Sequence, residues 1–134
     1  MFNQAIATHA LVKNLAPILN SPFALGYASV IPVGYVFPTP HLSLINGIDI
    51  MSKYYNGGSY SNATGTFGNG LYIFATVRGS EAQANISATF TIKNTGKTSV
   101  PVVGEDRNVT VTNGGSQFTD TFANAYTVHI YGPF

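Results

Sequence analysis

One segment of the chain alternates strictly between apolar and polar residues, and this pattern constrains the fold more than any other feature. Across Asn85–Lys93, the apolar residues Ile86, Ala88, Phe90 and Ile92 are separated by serine and threonine. Successive side chains of a β-strand point to opposite faces, so the alternation predicts a strand with one buried and one solvated face. A helix would scatter the same apolar side chains around its whole circumference.

Short apolar segments recur along the chain at a spacing of about ten residues, as the strands of all-β domains do. Beside the alternating segment, the sequence predicts strands at Ile48–Tyr55, Leu71–Arg78, Val100–Val103, Asn108–Thr112 and Tyr126–Tyr131. Asn56–Gly70 is rich in Gly, Ser, Asn and Thr and predicts a loop. We therefore predict a mainly β fold: an antiparallel β-sandwich of about seven or eight strands with one N-terminal helix.

The helix is predicted within Phe2–Ala16, where apolar residues recur at three- and four-residue spacing. Pro17 is expected to end it, because proline lacks the N–H that a helix interior needs. The prolines that follow confine Tyr27–Ile31 and Val33–Phe37 to edge strands or extended loop. We expect one domain over 1–134, with a helical arm at 1–20, a Pro-rich extended segment at 21–47 and the sandwich core at 48–131.

Charge is scarce in this chain, at 8% of the residues with a net charge of +1. A nucleic-acid partner is not expected, because such proteins present a basic surface to the phosphates. No apolar run approaches the roughly 18 residues that suggest a membrane span, so none is expected. There is no cysteine for a disulfide or a thiolate metal site. The surface must be largely uncharged and polar, which suits sugars, glycosylation or packing into an assembly.

Only a few residues are candidates for catalysis. A glycosidase needs two carboxylates about 5–10 Å apart, and Glu105 and Asp120 are the candidate pair, with His129 as a further candidate. The structural alternative is that Arg107 pairs with an acid in its own turn and that Asp120 caps a turn. The three histidines lie far apart and show no metal-ligand spacing, so neither a metal nor a cofactor is expected.

Four tyrosines around the predicted loop at 56–70 are candidates for carbohydrate binding: Tyr54, Tyr55, Tyr60 and Tyr72. Exposed rings beside Asn and Ser side chains could stack on the faces of sugars. The alternative is that the rings belong to the core or to cross-strand pairs, which aromatic residues commonly form in sheets. The sequence leaves both interpretations open.

Three glycosylation sequons begin at Asn62, Asn85 and Asn108, and the sequence leaves their use open. The N-terminal residues have no basic region typical of a signal peptide, so none is expected in this chain. An extracellular or cell-surface location is nevertheless expected.

A series of segments in a characteristic order resembles a known group of enzymes. It begins with Leu15–Pro22 and Ile48–Tyr54, continues with Leu71–Ala75 and the strand Ile86–Ile92, and ends with Val100–Arg107 and Phe118–Tyr131. These resemble the C-terminal part of TIM-barrel glycoside hydrolases. There the last barrel helix ends in a segment similar to Leu15–Pro22, and a β-sandwich closes with a strand similar to Phe118–Tyr131.

The resemblance implies a sandwich fold and a carbohydrate-related ancestry. The catalytic carboxylates of such enzymes lie at strand ends of the barrel, and no barrel is included in this sequence. The resemblance therefore carries over no catalytic residue. The segments Phe37–Gly47 and Asn56–Gly70 are longer than expected at the corresponding places.

Three functions follow as hypotheses. The first is a non-catalytic, carbohydrate-associated module of glycoside-hydrolase type, whose partner is a polysaccharide or glycan. The second is a self-assembling extracellular or virion-type structural subunit, forming a homo-oligomer through residues 1–45 with an apolar N-terminal arm. The third is a minimal glycoside hydrolase or metal-dependent enzyme that uses Glu105, Asp120 or His129.

Overall fold

The computed structural model describes residues 12–38, 47–77, 84–124 and 127–134. Their regular elements are one α-helix, α1 (Ala16–Leu19), and eleven strands. The strands are β1 (Ala28–Ile31), β2 (Val33–Phe37), β3 (Ile48–Tyr55), β4 (Tyr60–Asn62), β5 (Gly65–Phe67), β6 (Gly70–Val77), β7 (Ala84–Ile92), β8 (Ser99–Val102), β9 (Arg107–Thr110), β10 (Gln117–Asn124) and β11 (Val128–Tyr131). Residues 12–14 are also helical.

The strands form two main sheets and a small hairpin. A three-stranded sheet has the order β1-β7-β10, and a six-stranded sheet has the order β2-β3-β6-β11-β8-β9. β4 and β5 pair as a separate hairpin. All pairings are antiparallel except that of β2 with β3, which is parallel. A mainly β, mostly antiparallel fold is therefore confirmed.

The predicted number of strands was too low. The segment 56–70, predicted to be a loop, contains the hairpin β4–β5, in which Tyr60 lies opposite Phe67. Residues 117–124 form β10, so Asp120 lies within a strand and does not cap the turn that the structural alternative to catalysis expected. The periodicity did not indicate β10 because Thr and Asp interrupt its apolar residues, while its pairing with β7 compensates for the weak local preference. The closing strand Phe118–Tyr131 that the resemblance implies is divided between β10 and β11.

The inward-facing residues of both main sheets form one hydrophobic cluster. In β7, Ala88, Phe90 and Ile92 are buried, whereas Ser87 and Thr91 are exposed, as the alternation predicts. From the other sheet, β3, β6 and β11 contribute buried residues to the same cluster, among them Ile50, Ile73 and Tyr131. The Phe90 ring stacks on Phe118 at 4.6 Å between centroids and meets the Tyr131 ring edge-on at 5.3 Å.

The opposite face of the six-stranded sheet is partly covered by the helix and the hairpin. Leu15 and Ile18 pack there with the buried residues Tyr72 and Ile130. Because Tyr72 alternates with Leu71 and Ile73, which face the main core, it must point to this second face. The helix therefore docks on the sheet, since a single turn is not stable alone.

Pro17 lies where one helical segment has ended and a second one begins. It occupies the first turn of α1, where the missing N–H has no helical partner to lose. Pro17 therefore lies at the start of α1, just after the helical segment that ends at Asn14. Most of the predicted helix, up to Leu11, lies outside the described residues. No helix in the described ranges combines the length and apolar character needed to cross a membrane.

Candidate functional site

The three catalytic candidates meet in one cluster. Glu105, Asp120 and His129 lie together with Arg107 and Tyr131, and we call these five residues the ionic network. They come from the turn before β9, from β9 itself, and from β10 and β11. The network therefore joins the six-stranded sheet to the three-stranded sheet.

The strand periodicity places each of these side chains. His129 and Tyr131 are two residues apart on β11 and share its inward face, whereas Ile130 packs on the other face with Ile18. Asp120 is flanked at the same spacing by the buried Phe118 and Phe122. An acid at this inward position is largely covered, with 11% of its side chain exposed.

The Arg107 guanidinium binds both carboxylates. Its Nη1 and Nη2 donate to Oδ1 and Oδ2 of Asp120 at 3.1 and 2.8 Å, which is the bidentate arrangement, and its Nε donates to Oε1 of Glu105 at 2.9 Å. Bidentate pairs fix orientation as well as charge. The structural interpretation expected Arg107 to pair with one acid, and it pairs with two.

His129 bridges the second oxygen of Glu105 to the backbone of β10. Its Nδ1 lies 2.5 Å from Oε2 of Glu105, and its Nε2 lies 3.0 Å from the carbonyl oxygen of Thr121. Both partners are hydrogen-bond acceptors, so each ring nitrogen of His129 faces an oxygen. Arg107 Nη2 lies farther away, 3.5 Å from Nδ1.

The surroundings of Asp120 decide its charge. Burial alone would raise its pKa, but hydrogen bonds from Arg107, from the Tyr131 hydroxyl and from the backbone N–H of Thr121 outweigh burial and hold the pKa below the ordinary value. Burial and the adjacent Asp120 carboxylate raise the pKa of Tyr131. The hydrogen bond to Asp120 also raises the pKa of Arg107. Asp120 is thus an anion, and Tyr131 donates to it at 2.8 Å.

The arrangement favours a structural role over acid–base catalysis. A general acid needs a raised carboxyl pKa and a nucleophile needs a free oxygen, whereas both Asp120 oxygens are bound and its pKa is lowered. A depression of about 440 Å³ lies beside the network, and of its five members Arg107 alone lines it. Within the described ranges, no group of three His, Asp or Glu side chains could hold a metal ion.

Three of the four candidate tyrosines form an interior aromatic cluster. Tyr72 is fully buried and Tyr55 is 6% exposed, while Tyr60 is half-buried. The Tyr60 ring stacks on Phe67 at 5.0 Å and meets Tyr55 edge-on at 5.7 Å. Each hydroxyl donates to a backbone carbonyl: Tyr55 to Gly58, Tyr60 to Asn14 and Tyr72 to Gly68. Buried Tyr55 and Tyr72 rings present no face to a sugar.

Tyr54 is placed differently from the other three. Its exposed fraction is 48%. On β3, Tyr54 points to the face opposite the aromatic cluster, and it lies near the end of the strand, past the buried residues Ile48 and Ile50. Tyr72 is the opposite case, because burial raises the pKa of its hydroxyl to about 12. Of the four candidates, Tyr54 has the most exposed ring.

The sequons also differ in their accessibility. The Asn62 amide donates to the Asn14 carbonyl at 3.0 Å and accepts from the Thr64 N–H at 2.9 Å, so this side chain is already engaged. Asn85 and Asn108 are exposed.

A second surface feature is an apolar groove on the outer face of the six-stranded sheet. Its apolar lining comes from Phe37, Met51, Phe74 and Val128, and its volume is about 220 Å³. Phe74 also packs against the cluster beneath α1, so the groove continues that covered surface.

The chain matches no known family model, and neither a curated protein nor a solved structure shows significant similarity to it. Sequence reasoning missed Tyr131 as a member of the network. Its position two residues after His129 on the same strand was the signal that could have found it.

Proposed function

We propose that this chain is a non-catalytic, carbohydrate-associated β-sandwich module of glycoside-hydrolase type, acting outside the cell or at its surface. The observation that carries its non-catalytic part is the binding of both candidate carboxylates by Arg107, and the carbohydrate association rests on the resemblance. Acids held in this way join two sheets and are withdrawn from proton transfer. A minimal hydrolase built on Glu105, Asp120 and His129 is accordingly the least favoured of the three functions.

The sandwich assignment is supported by the shared core. Side chains of the three-stranded sheet, such as Phe90, pack with side chains of the six-stranded sheet, such as Tyr131, in one buried cluster. Two sheets that face one core are the defining feature of this architecture. It agrees with the fold that the resemblance to glycoside-hydrolase C-terminal regions implies.

We reduce the proposed sugar contact from four tyrosines to one. Tyr54 is the candidate ring with an open face, and Tyr60 is half-covered by its neighbours. An amphipathic ring that is already fixed on a strand loses little freedom on binding, which favours its use as a contact. We therefore assign the leading carbohydrate contact to Tyr54.

The experiment is affinity electrophoresis in gels containing soluble polysaccharides, with Tyr54→Ala as the test variant. We expect the wild type to be retarded by at least one polysaccharide. The Tyr54→Ala dissociation constant should be about three- to tenfold higher, in line with about 0.5–1.5 kcal/mol for an aromatic contact. Tyr72→Phe is the matched control, since it alters a buried tyrosine and should leave the retardation unchanged. No retardation of the wild type in any gel would contradict the proposal.

A self-assembling structural subunit is the second candidate, and a specific observation favours it. Val128 is 55% exposed beside the apolar groove. Large exposed apolar side chains around a groove are typical of contact surfaces between proteins. This candidate needs neither a catalytic site nor a sugar contact.

A further inference from the structure

β10 has one edge that pairs with no other strand of its own sheet. β10 is an outer strand of the three-stranded sheet and pairs on one side with β7. An edge strand presents unpaired backbone groups that can pair with a strand of another chain. β10 runs for eight residues, Gln117–Asn124, which is long for an exposed edge.

The direction of the backbone groups follows from their partners. Thr121 lies opposite Ser87 of β7, yet its N–H donates to Oδ1 of Asp120 at 2.9 Å and its carbonyl lies 3.0 Å from Nε2 of His129. Both groups of Thr121 therefore point away from β7, to the free edge. Residues two positions apart share this direction, so Gln117 and Thr119 face the same edge.

That edge is occupied at two places. The Thr112 N–H donates to the Gln117 carbonyl at 2.7 Å at one end. At Thr121, side chains of the ionic network occupy the donor and the acceptor that an incoming strand would need. Thr119, between them, has no partner for its backbone groups on this edge within the described part of the chain.

We infer that the ionic network is an edge cap, in which His129 and Asp120 close β10 against the strand of a second copy of this chain. A second copy is the fitting partner because the outward side chains of β10 are uncharged. Gln117, Thr119 and Thr121 would not repel an identical strand, whereas natural edges are commonly protected by charge. In β10 the protection comes instead from Asp120 and His129, whose side chains hydrogen-bond to the backbone N–H and carbonyl of Thr121.

The test uses three variants of the full chain and measures molar mass by light scattering after gel filtration. His129→Leu removes the donor to Thr121 and keeps an apolar side chain beside Phe122, which contacts the His129 ring at 4.7 Å. We expect its mass to rise to at least twice the wild-type value at the same concentration. His129→Gln, whose amide can still donate to the carbonyl, should keep the wild-type mass.

The third variant combines His129→Leu with Thr119→Pro and shows through which surface the copies associate. Thr119→Pro removes an N–H that points to the free edge, so the ladder with β7 is kept while strand addition is blocked. His129→Leu combined with Thr119→Pro should return to the wild-type mass. An unchanged mass for His129→Leu, or equal association of the single and double variants, would overturn the inference.

A measurement on the wild type guards against a variant that fails to fold. Native-state hydrogen exchange should protect the Thr121 amide, which the cap binds, at least tenfold more than the Thr119 amide on the same edge. Equal exchange at the two positions would also overturn the inference, whatever the variants do.

Discussion

At the scale of single residues, Arg107 sets the properties of its neighbours. One guanidinium orients Glu105 and Asp120, and with Tyr131 it keeps Asp120 ionised despite its burial. The same two acids without an arginine between them would repel each other. The arrangement of the two acids therefore depends on this one side chain.

The lowered pKa of Asp120 predicts an acid-dependent contribution to stability. A carboxyl whose pKa is lower in the folded than in the unfolded state stabilises the fold above its ordinary pKa of about 4. This contribution is lost as the pH falls through the folded-state pKa. Asp120→Asn should therefore lower the free energy of unfolding by about 2 kcal/mol at pH 7, and by progressively less below about pH 4.

Urea denaturation of both proteins at a series of pH values measures that difference. Asp106→Asn is the matched control, because Asp106 is exposed and asparagine tolerates its left-handed backbone. It should change stability little at any pH. The ionisation of Asp120 in the folded protein would be contradicted if the wild type and Asp120→Asn differed in free energy of unfolding by the same amount at pH 7 and pH 3.

At the scale of elements, the hairpin β4–β5 is tied to the segment preceding α1. Asn14 is the common partner: its carbonyl accepts from the Tyr60 hydroxyl and the Asn62 amide, and its own amide donates to the Thr64 hydroxyl. A two-stranded hairpin is marginal on its own. These bonds, with the stacking of Tyr60 on Phe67, explain how residues predicted to be a loop become ordered strands.

Removing the Asn62 side chain should loosen this attachment. Asn62→Ala deletes the bonds to the Asn14 carbonyl and the Thr64 N–H, at a cost of about 1–2 kcal/mol. Thermal unfolding should show a lower midpoint, and limited proteolysis should cut faster within 56–70. Asn108→Ala, which changes an exposed asparagine of another sequon, should do neither. A similar loss of stability in both variants would refute the role of Asn62.

At the scale of the whole molecule, the sequence predicts the fold better than the site. Regular alternation identifies β7 because half of its positions are buried by one core. It cannot identify β10, whose Asp120 faces inward and is stabilised by Arg107, thirteen residues earlier in the chain. Nor can it separate Tyr54 from Tyr55, since a one-residue shift on a strand decides which ring is buried. Arg107 and Asp120 come together only because the two sheets that carry them pack against each other.

The apolar groove is the candidate surface for assembly of whole molecules, and Val128 lines it. If copies associate there, Val128→Asp places a charge on the contact surface, and its cost on burial should raise the dissociation constant at least tenfold. Ile31→Asp is the matched control, because Ile31 is β-branched, 75% exposed and on the three-stranded sheet, away from the groove. Sedimentation equilibrium over a concentration series measures the constants. Equal weakening by both variants would indicate general repulsion between copies, and a wild type that stays monomeric throughout would exclude assembly by this groove.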